Sequence, residues 1–278
     1  MIDLHTHTTA SDGTYTPEAL VRHAQKEGLK ILAITDHDSA AGVMEAVEAG
    51  EEYGVKVIPG VEISVVFEPT EMHILGYGID VNDPIFTDAL TKLKENRERR
   101  NPKMLARLRE LGFKITLEEV IAEAGGDIVG RPHMARVLLK KGYVSSIDEA
   151  FQKYLGKGCP AYVPKEKLTP KQAINIIKKA GGLAFLAHPV YLEKTETELK
   201  LVLEELISYG LDGIEAYYTY HNEEQTRLYL ELASKYNLLI SGGSDFHGEN
   251  KPEILIGRGL GDLKIPEEKV SWINWFLF

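Results

Sequence analysis

Two histidines one residue apart, His5 and His7, open the chain in MIDLHTHTTASDG, with Asp12 five residues further on. The same residue types recur in short bursts: Asp36, His37 and Asp38 in TDHD, Glu62 in GVEIS, His73 in MHILGYGI, His188 in LAHP, and Asp245 with His247 in SDFH. Imidazoles and carboxylates drawn into one place suffer desolvation and repulsion that a bound cation relieves. Their joint chemistry is therefore metal ligation. A donor set of imidazole and carboxylate without thiolate suits Mn, Fe or Zn and does not choose among them. One such residue alone says little, and His23 on the first helix reads as a surface histidine.

These bursts need a frame that carries them to one face. Five times an amphipathic stretch meets a helix-stopping residue and then a short apolar run; the stoppers are Gly28, Gly54, Gly181, Gly210 and Asn237. Three of the four spacings between them are 26, 29 and 27 residues, and the fourth, between Gly54 and Gly181, is 127. The stoppers fit helix C-termini and the runs fit buried parallel strands. An opening strand at residues 2 to 5 and another at MHILGYGI bring the count to seven, which reads as an α/β protein, a parallel (β/α) barrel. TPEALVRHAQKEG and TPKQAINIIKKAGG both place Thr before Pro, an N-cap before a favoured first helical residue. Except for His73, which begins its strand, the bursts lie at or beyond strand C-termini, the rim where barrel enzymes build active sites.

The long gap holds one further βα step and a run of short helical pieces, PKMLARLRELG, TLEEVIAEAGG, RPHMARVLLKKG and SIDEAFQKYLG. These form an expected helical insert over residues 97–165, a substrate lid on a barrel made of 1–96 and 166–278. The apolar end SWINWFLF is expected to pack as a helix on the body or a second subunit.

At 278 residues, 44% hydrophobic and 27% charged, the chain is long enough for a large core. No apolar run approaches the roughly 18 to 20 residues that span a bilayer, and the first residues lack a signal-peptide pattern, so no membrane association is expected. Cys159 is the only cysteine, which excludes an intrachain disulfide and makes the cytoplasm the expected location. A net charge of −10 argues against nonspecific nucleic-acid coating and against a stable nucleic-acid complex. Residues 92 to 114 nevertheless hold nine Lys/Arg against three acids, where an anionic substrate or a short RNA backbone could be met, or which could be a solvated helix face.

HTH with SDG, TDHD, GVEIS, His73, AHP and SDFH, in that order along the whole chain, resemble the polymerase and histidinol phosphatase (PHP) family of metal-dependent phosphoesterases. The resemblance implies a distorted (β/α)7 barrel with a trinuclear metal cluster. It implies that His5, His7, Glu62 and Asp245 hold one ion; that Glu62 bridges to a second held also by His73 and His188; and that Asp12, His37 and His247 hold the third. Mn is the ion expected in solution, with Fe or Zn as alternatives. The helical insert, with VGRPHMARVLLKKGYV, FQKYLGKGCPAYVP and EAYYTYH, resembles the branch that includes nucleoside 3′,5′-bisphosphate phosphatases and 5′-to-3′ exoribonucleases.

The expected activity is hydrolysis of a small phosphorylated substrate, a nucleotide or 5′-phosphorylated short RNA, by in-line attack of a metal-activated hydroxide. Histidinol phosphate or another small phosphomonoester is the alternative substrate, and a noncatalytic metal-binding module the alternative class. Arg131 and His133 are the expected substrate contacts, one for bidentate phosphate binding and one as hydrogen-bond or proton donor. His221 is a possible leaving-group acid, and Tyr217, Tyr218 and Tyr220 could stack a base. Asp36 and Asp38 could orient the His37 ring or cap turns.

Overall fold

A computed structural model describes residues 1–124, 129–164 and 166–276. Seven strands form one sheet in sequence order: β1 (Ile2–Asp3), β2 (Ile31–Ile34), β3 (Lys56–Val65), β4 (Met72–Tyr77), β5 (Leu183–Leu186), β6 (Gly213–Tyr218) and β7 (Leu239–Gly243). Leu4 N–H donates to Gly242 O at 3.1 Å and His7 N–H to Phe246 O at 2.9 Å, drawing the last strand back to the first. The result is a nearly closed barrel.

The helices are α1 (Pro17–Lys26), α2 (Val43–Tyr53), α3 (Pro84–Glu110), α4 (Leu117–Ala124), α5 (Arg131–Lys140), α6 (Ile147–Ala150), α7 (Pro170–Lys179), α8 (Glu196–Ser208) and α9 (Glu223–Tyr236). Thr16 and Thr169 cap α1 and α7 as their Thr-Pro starts predict, accepting from Ala19 N and Gln172 N. All five stoppers adopt left-handed φ, from 53° at Asn237 to 102° at Gly210.

The expectation of an all-parallel barrel fails at one strand. β4 pairs antiparallel with both β3 and β5, with Ser64 opposite His73 and Ile74 opposite Leu186. No helix separates β3 from β4, so the chain turns straight back. The reversal also removes the exception noted in the sequence: the first residues of β4 lie at the same rim as the C-terminal ends of its parallel neighbours. β3 runs three residues past Glu62 because this ladder continues to Val65 opposite Met72.

Strand alternation sorts the core. Leu32 and Ile34 face α1 and α2, while Val61, Ile63, Ile214 and Ala216 join a cluster with α7, α8 and α9. Between them Ala33, Ile58, Leu75, Tyr77 and Phe185, from four strands, fill the barrel interior against Val270, Trp272 and Ile273. The C-terminal segment thus plugs the barrel floor as 3-10 turns over Glu267–Phe276 rather than the expected helix, anchored by Trp272 Nε1 donating to Ile240 O at 2.7 Å. The last two residues lie outside the described ones.

A separate apolar cluster joins Met104, Leu105 and Leu108 of α3 to Val120, Met134, Leu138, Ala150 and Leu155. α3 runs unbroken from Leu90 and Leu93, which belong to the barrel cluster, into this second one. The first of the expected short helices is therefore the second half of a 27-residue helix. The glycine stop expected at 125 and 126, and residue 165 at the insert's end, fall outside the described residues. Among the described residues no helix is long and apolar enough to cross a membrane.

Candidate metal centre

Each cluster residue leaves the barrel at one rim: His5 and His7 after β1, His37 after β2, Glu62 in β3, His73 in β4, His188 after β5, and Asp245 with His247 after β7. Close approach of β7 to β1 makes this convergence possible, since a Cβ on Gly243 would stand 2.4 Å from His5 N. Asp12 sits in the loop after β1, held by Asp36, whose carboxylate accepts from Thr8 N at 2.8 Å, Thr8 Oγ1 at 2.7 Å and Ser11 Oγ at 2.5 Å.

Donor atoms that share an ion at about 2.1 Å are separated from one another by roughly 3.0 to 3.4 Å. The cluster shows such separations. Glu62 Oε2 lies 3.2 Å from His5 Nε2 and 3.3 Å from His7 Nε2, while Asp245 Oδ1 lies 3.1 Å from His7 Nε2 and 3.5 Å from His5 Nε2. Glu62 Oε1 lies 2.8 Å from His73 Nδ1 and 2.9 Å from His188 Nε2, and those two nitrogens are 3.2 Å apart. His247 Nε2 lies 3.3 Å from Asp12 Oδ1. His5 Nε2, His7 Nε2, His37 Nδ1 and Glu62 Oε2 are buried with no hydrogen-bond partner. Unpartnered buried polar atoms are costly, and a cation among them would satisfy all four at once.

Three donor groups meet the geometry of a cation site: His5, His7, Glu62 and Asp245; His7, Asp12, His37 and His247; and His37, Glu62 and His73. The third includes His37, whereas the sequence reading paired Glu62 and His73 with His188; His188 also reaches both, at the distances above.

Electrostatics favour the ligating state of the carboxylates and of His247. By contrast, and against burial, Glu215, Glu62 and Asp245 raise His5 well above the usual histidine value and Asp245 and Glu62 raise His7 to about 9, so a cation entering the site displaces protons from both rings. Burial raises the Glu62 pKa, yet His37, His73 and His5 hold it well below the usual carboxylate range. Against burial, Lys251, His247 and His5 hold Asp245 down in the same way. Burial, with Lys251 and His7, pushes His247 down to about 4, so this imidazole is neutral. The backbone is strained here, His188 having φ 23° and Asp245 φ 58°, and such strain persists where the surroundings fix it.

The PHP domain family model matches residues 3–254. The chain belongs to the PHP family. It is 39% identical over 260 residues to the 5′-3′ exoribonuclease Rnm of Escherichia coli, covering 93% of this chain and 88% of that one. It is 32% identical over 247 residues to a 3′,5′-nucleoside bisphosphate phosphatase of Chromobacterium violaceum, covering 88% and 87%. A structure from Bifidobacterium adolescentis described as a metal-dependent phosphoesterase superposes with a TM-score of 0.88 at 33% identity, covering 100% of this chain and 96% of that one. The chain is a phosphoester hydrolase, and the PHP barrel is its catalytic scaffold.

Around the PHP cluster lie two hollows. One, of about 220 Å³, is lined by Asp12, His37, His73, Arg97, Arg100, Arg131, His133 and Lys167. The other, of about 630 Å³, is lined by Glu62, His73, Arg131, Lys157, His188, Tyr191, Asp245 and Lys251. Arg131 stands between them, its guanidinium 5.5 Å from the Phe151 ring and 5.6 Å from the Tyr162 ring. Glu71 draws Arg131 and Lys167 at 3.8 and 3.6 Å. His133 is buried and accepts the Gly130 N–H at Nδ1, 3.0 Å; burial pushes its pKa down to about 4. Its proton therefore sits on Nε2, which has no partner.

Of the other expected residues, His221, Tyr217 and Tyr220 are not brought to the cluster, whereas Tyr218 touches it at Asp245. His221 lines a different hollow with Arg227, Leu260 and Lys264, its Nδ1 3.0 Å from Ala216 O, and burial pushes its pKa down to about 4. A neutral ring turned to a backbone carbonyl is a poor proton donor. The three tyrosines form no common stacking face: Tyr218 is buried and donates to Asp245 Oδ2 at 2.9 Å, Tyr220 reaches Glu253, and Tyr217 lines the His221 hollow. Asp38 accepts from Ser64 N at 3.0 Å and pairs with Arg97.

Sequence reasoning missed Arg97 and Arg100 as individual residues. Both are buried, and they continue at helical spacing the stripe Leu90, Leu93 and Met104; arginines on an apolar stripe were the available signal. Lys251, 2.6 Å from Asp245 Oδ2, and Glu215 on β6 were also missed.

Proposed function

We propose that this PHP-family hydrolase cleaves phosphate esters of nucleotides, either a nucleoside 3′,5′-bisphosphate or the 5′-phosphorylated end of a short RNA. The observation that supports it most is one cleft whose walls combine the cation-ready cluster with Arg97, Arg100, Arg131 and Lys167. A substrate with one phosphate ester at the cluster and further negative charge beyond it fits both walls. The relatives named exoribonuclease and nucleoside bisphosphate phosphatase agree with such a substrate.

In this reading three divalent ions are held, one by His5, His7, Glu62 and Asp245, one by Glu62, His73 and His188, and one by Asp12, His37 and His247. Mn suits these donors, with Fe or Zn as alternatives. Bound cations neutralise phosphate oxygens and lower the pKa of a water that becomes the nucleophile.

The chain's own residues bind and orient. Arg131, backed by two aromatic rings, presents its guanidinium to a phosphate bidentately. His133 donates Nε2–H into the smaller hollow. Lys251 keeps its positive charge, its pKa pushed above the usual lysine range by Asp245 against burial, and it faces the larger hollow beside the cluster. Residues 97–165 act as a lid, since Arg97, Arg100, Arg131, His133, Phe151 and Tyr162 all come from that stretch. A reducing compartment, the cytoplasm, fits a chain whose sequence has one cysteine.

The test is phosphate and mononucleotide release by the Mn-loaded protein from adenosine 3′,5′-bisphosphate, AMP, histidinol phosphate and a 5′-phosphorylated short RNA. Preference for the bisphosphate or the RNA supports the proposal. Preference for histidinol phosphate, or no turnover of any of the four, overturns it.

A further inference from the structure

Glu215 lies on β6 with its side chain fully buried. Its neighbours Ile214 and Ala216 point outward into the helical cluster, so Glu215 takes the inward parity and places a carboxylate inside the barrel. Both oxygens are used. Oε1 lies 3.0 Å from His5 Nδ1, and Oε2 accepts the His188 backbone N–H at 2.7 Å.

A carboxylate only accepts hydrogen bonds, so the His5 proton must sit on Nδ1. The Nε2 lone pair is then the one left to ligate. That Nε2 has no hydrogen-bond partner and faces Glu62 Oε2 and Asp245 Oδ1 at 3.2 and 3.5 Å. At the other oxygen, the bond to His188 N fixes a residue whose φ of 23° is otherwise unfavourable. The His5 and His188 rings consequently stack, with centroids 5.8 Å apart and planes 22° apart, both turned toward Glu62.

We propose that Glu215 is a positioning residue for the metal centre: it fixes the His5 tautomer that presents Nε2 to a cation and anchors the His188 backbone, so that histidines from β1 and β5 address the same carboxylate. This rests on the metal-centre reading given above. Carboxylates behind ligating histidines set ring orientation and basicity, and losing one typically weakens metal binding about 10- to 100-fold.

Glu215→Gln keeps the shape and offers an oxygen to one partner, but its amide NH2 then meets the other partner's N–H. Metal-depleted wild type and variant are titrated with Mn²⁺ against a competing chelator, and the melting temperature of each metal-free protein is recorded. The expected result is an unchanged metal-free melting temperature with Mn²⁺ affinity about 10- to 100-fold weaker in the variant. Equal affinity in the two proteins overturns the role of Glu215 and leaves the metal centre standing. A wild type that binds no Mn²⁺ overturns the metal-centre reading and this inference with it. If the variant does not fold, the zinc-loaded, ¹⁵N-labelled wild type decides: the His5 ring is expected to carry its proton on Nδ1, and a proton on Nε2 overturns the proposal.

Discussion

Arg97 Nη2 stands 2.6 Å from Asp38 Oδ2, with both side chains almost wholly shielded from solvent, so α3 is tied to the loop after β2 that carries His37. Asp38 in turn accepts from Ser64 N, two residues beyond Glu62. Removing the cation from such a buried pair leaves a carboxylate short of its counter-charge, at a cost on the order of 3 kcal/mol. Arg97→Ala should therefore lower the unfolding free energy by about that amount in denaturant titration. A loss under about 0.5 kcal/mol would show that the pair does not tie α3 to the barrel.

Glu62 contacts five imidazoles, those of His5, His7, His37, His73 and His188. Glu62→Ala should release bound metal and lower kcat/KM by about 1000-fold or more, while far-UV circular dichroism stays native. Metal content by mass spectrometry checks it, and a variant that keeps both metal and turnover would refute the bridging role.

Arg131 faces both hollows and touches none of the cluster donors in the contacts described. Arg131→Ala should lower kcat/KM for a nucleoside 3′,5′-bisphosphate by about 10- to 100-fold, the loss expected for charge-assisted hydrogen bonds to phosphate. Metal content should not change. Unaltered steady-state kinetics would remove Arg131 from the substrate site.

His221 is held neutral, so removing it should not cost the large factor that a general acid contributes, about 100-fold or more. His221→Gln is expected to keep kcat within about threefold. The sign of its effect on stability also follows. Its folded pKa of about 4 lies below the ordinary histidine value of 6.5, so the unfolded chain binds the proton more readily between those limits and stability is lost as pH falls from 6.5 toward 4. Thermal melts across that range should show a shallower acid loss in His221→Gln than in wild type. A kcat collapse in the variant would restore the role of proton donor.

Much of this arrangement is legible in the chain because each step of it is local. A stopper followed by an apolar run marks a βα unit regardless of its neighbours, which is why the helix ends at Gly28, Gly54, Gly181, Gly210 and Asn237 read directly. Strand direction is different. Nothing in MHILGYGI tells an antiparallel strand from a parallel one; only the missing helix before it carries that information. The acidic and histidine bursts were visible because their residue types are costly to gather without a ligand. Glu215 was hidden because a single acid in GIEAYY looks like a surface residue until strand parity turns it inward. Tyr217 and Tyr218 end β6 and Tyr220 and His221 follow it on the correct rim, but the side chains of His221, Tyr218 and Tyr220 turn to Ala216, Asp245 and Glu253, a matter of tertiary packing.

The most direct test strips the protein with a chelator and adds Mn²⁺ back stepwise while bound metal per chain and hydrolysis of adenosine 3′,5′-bisphosphate are followed together. Loss of turnover on stripping, and its return as the cluster fills toward three ions per chain, is the expected course. Full turnover by the metal-free protein, or three ions bound with no turnover restored, would contradict the account.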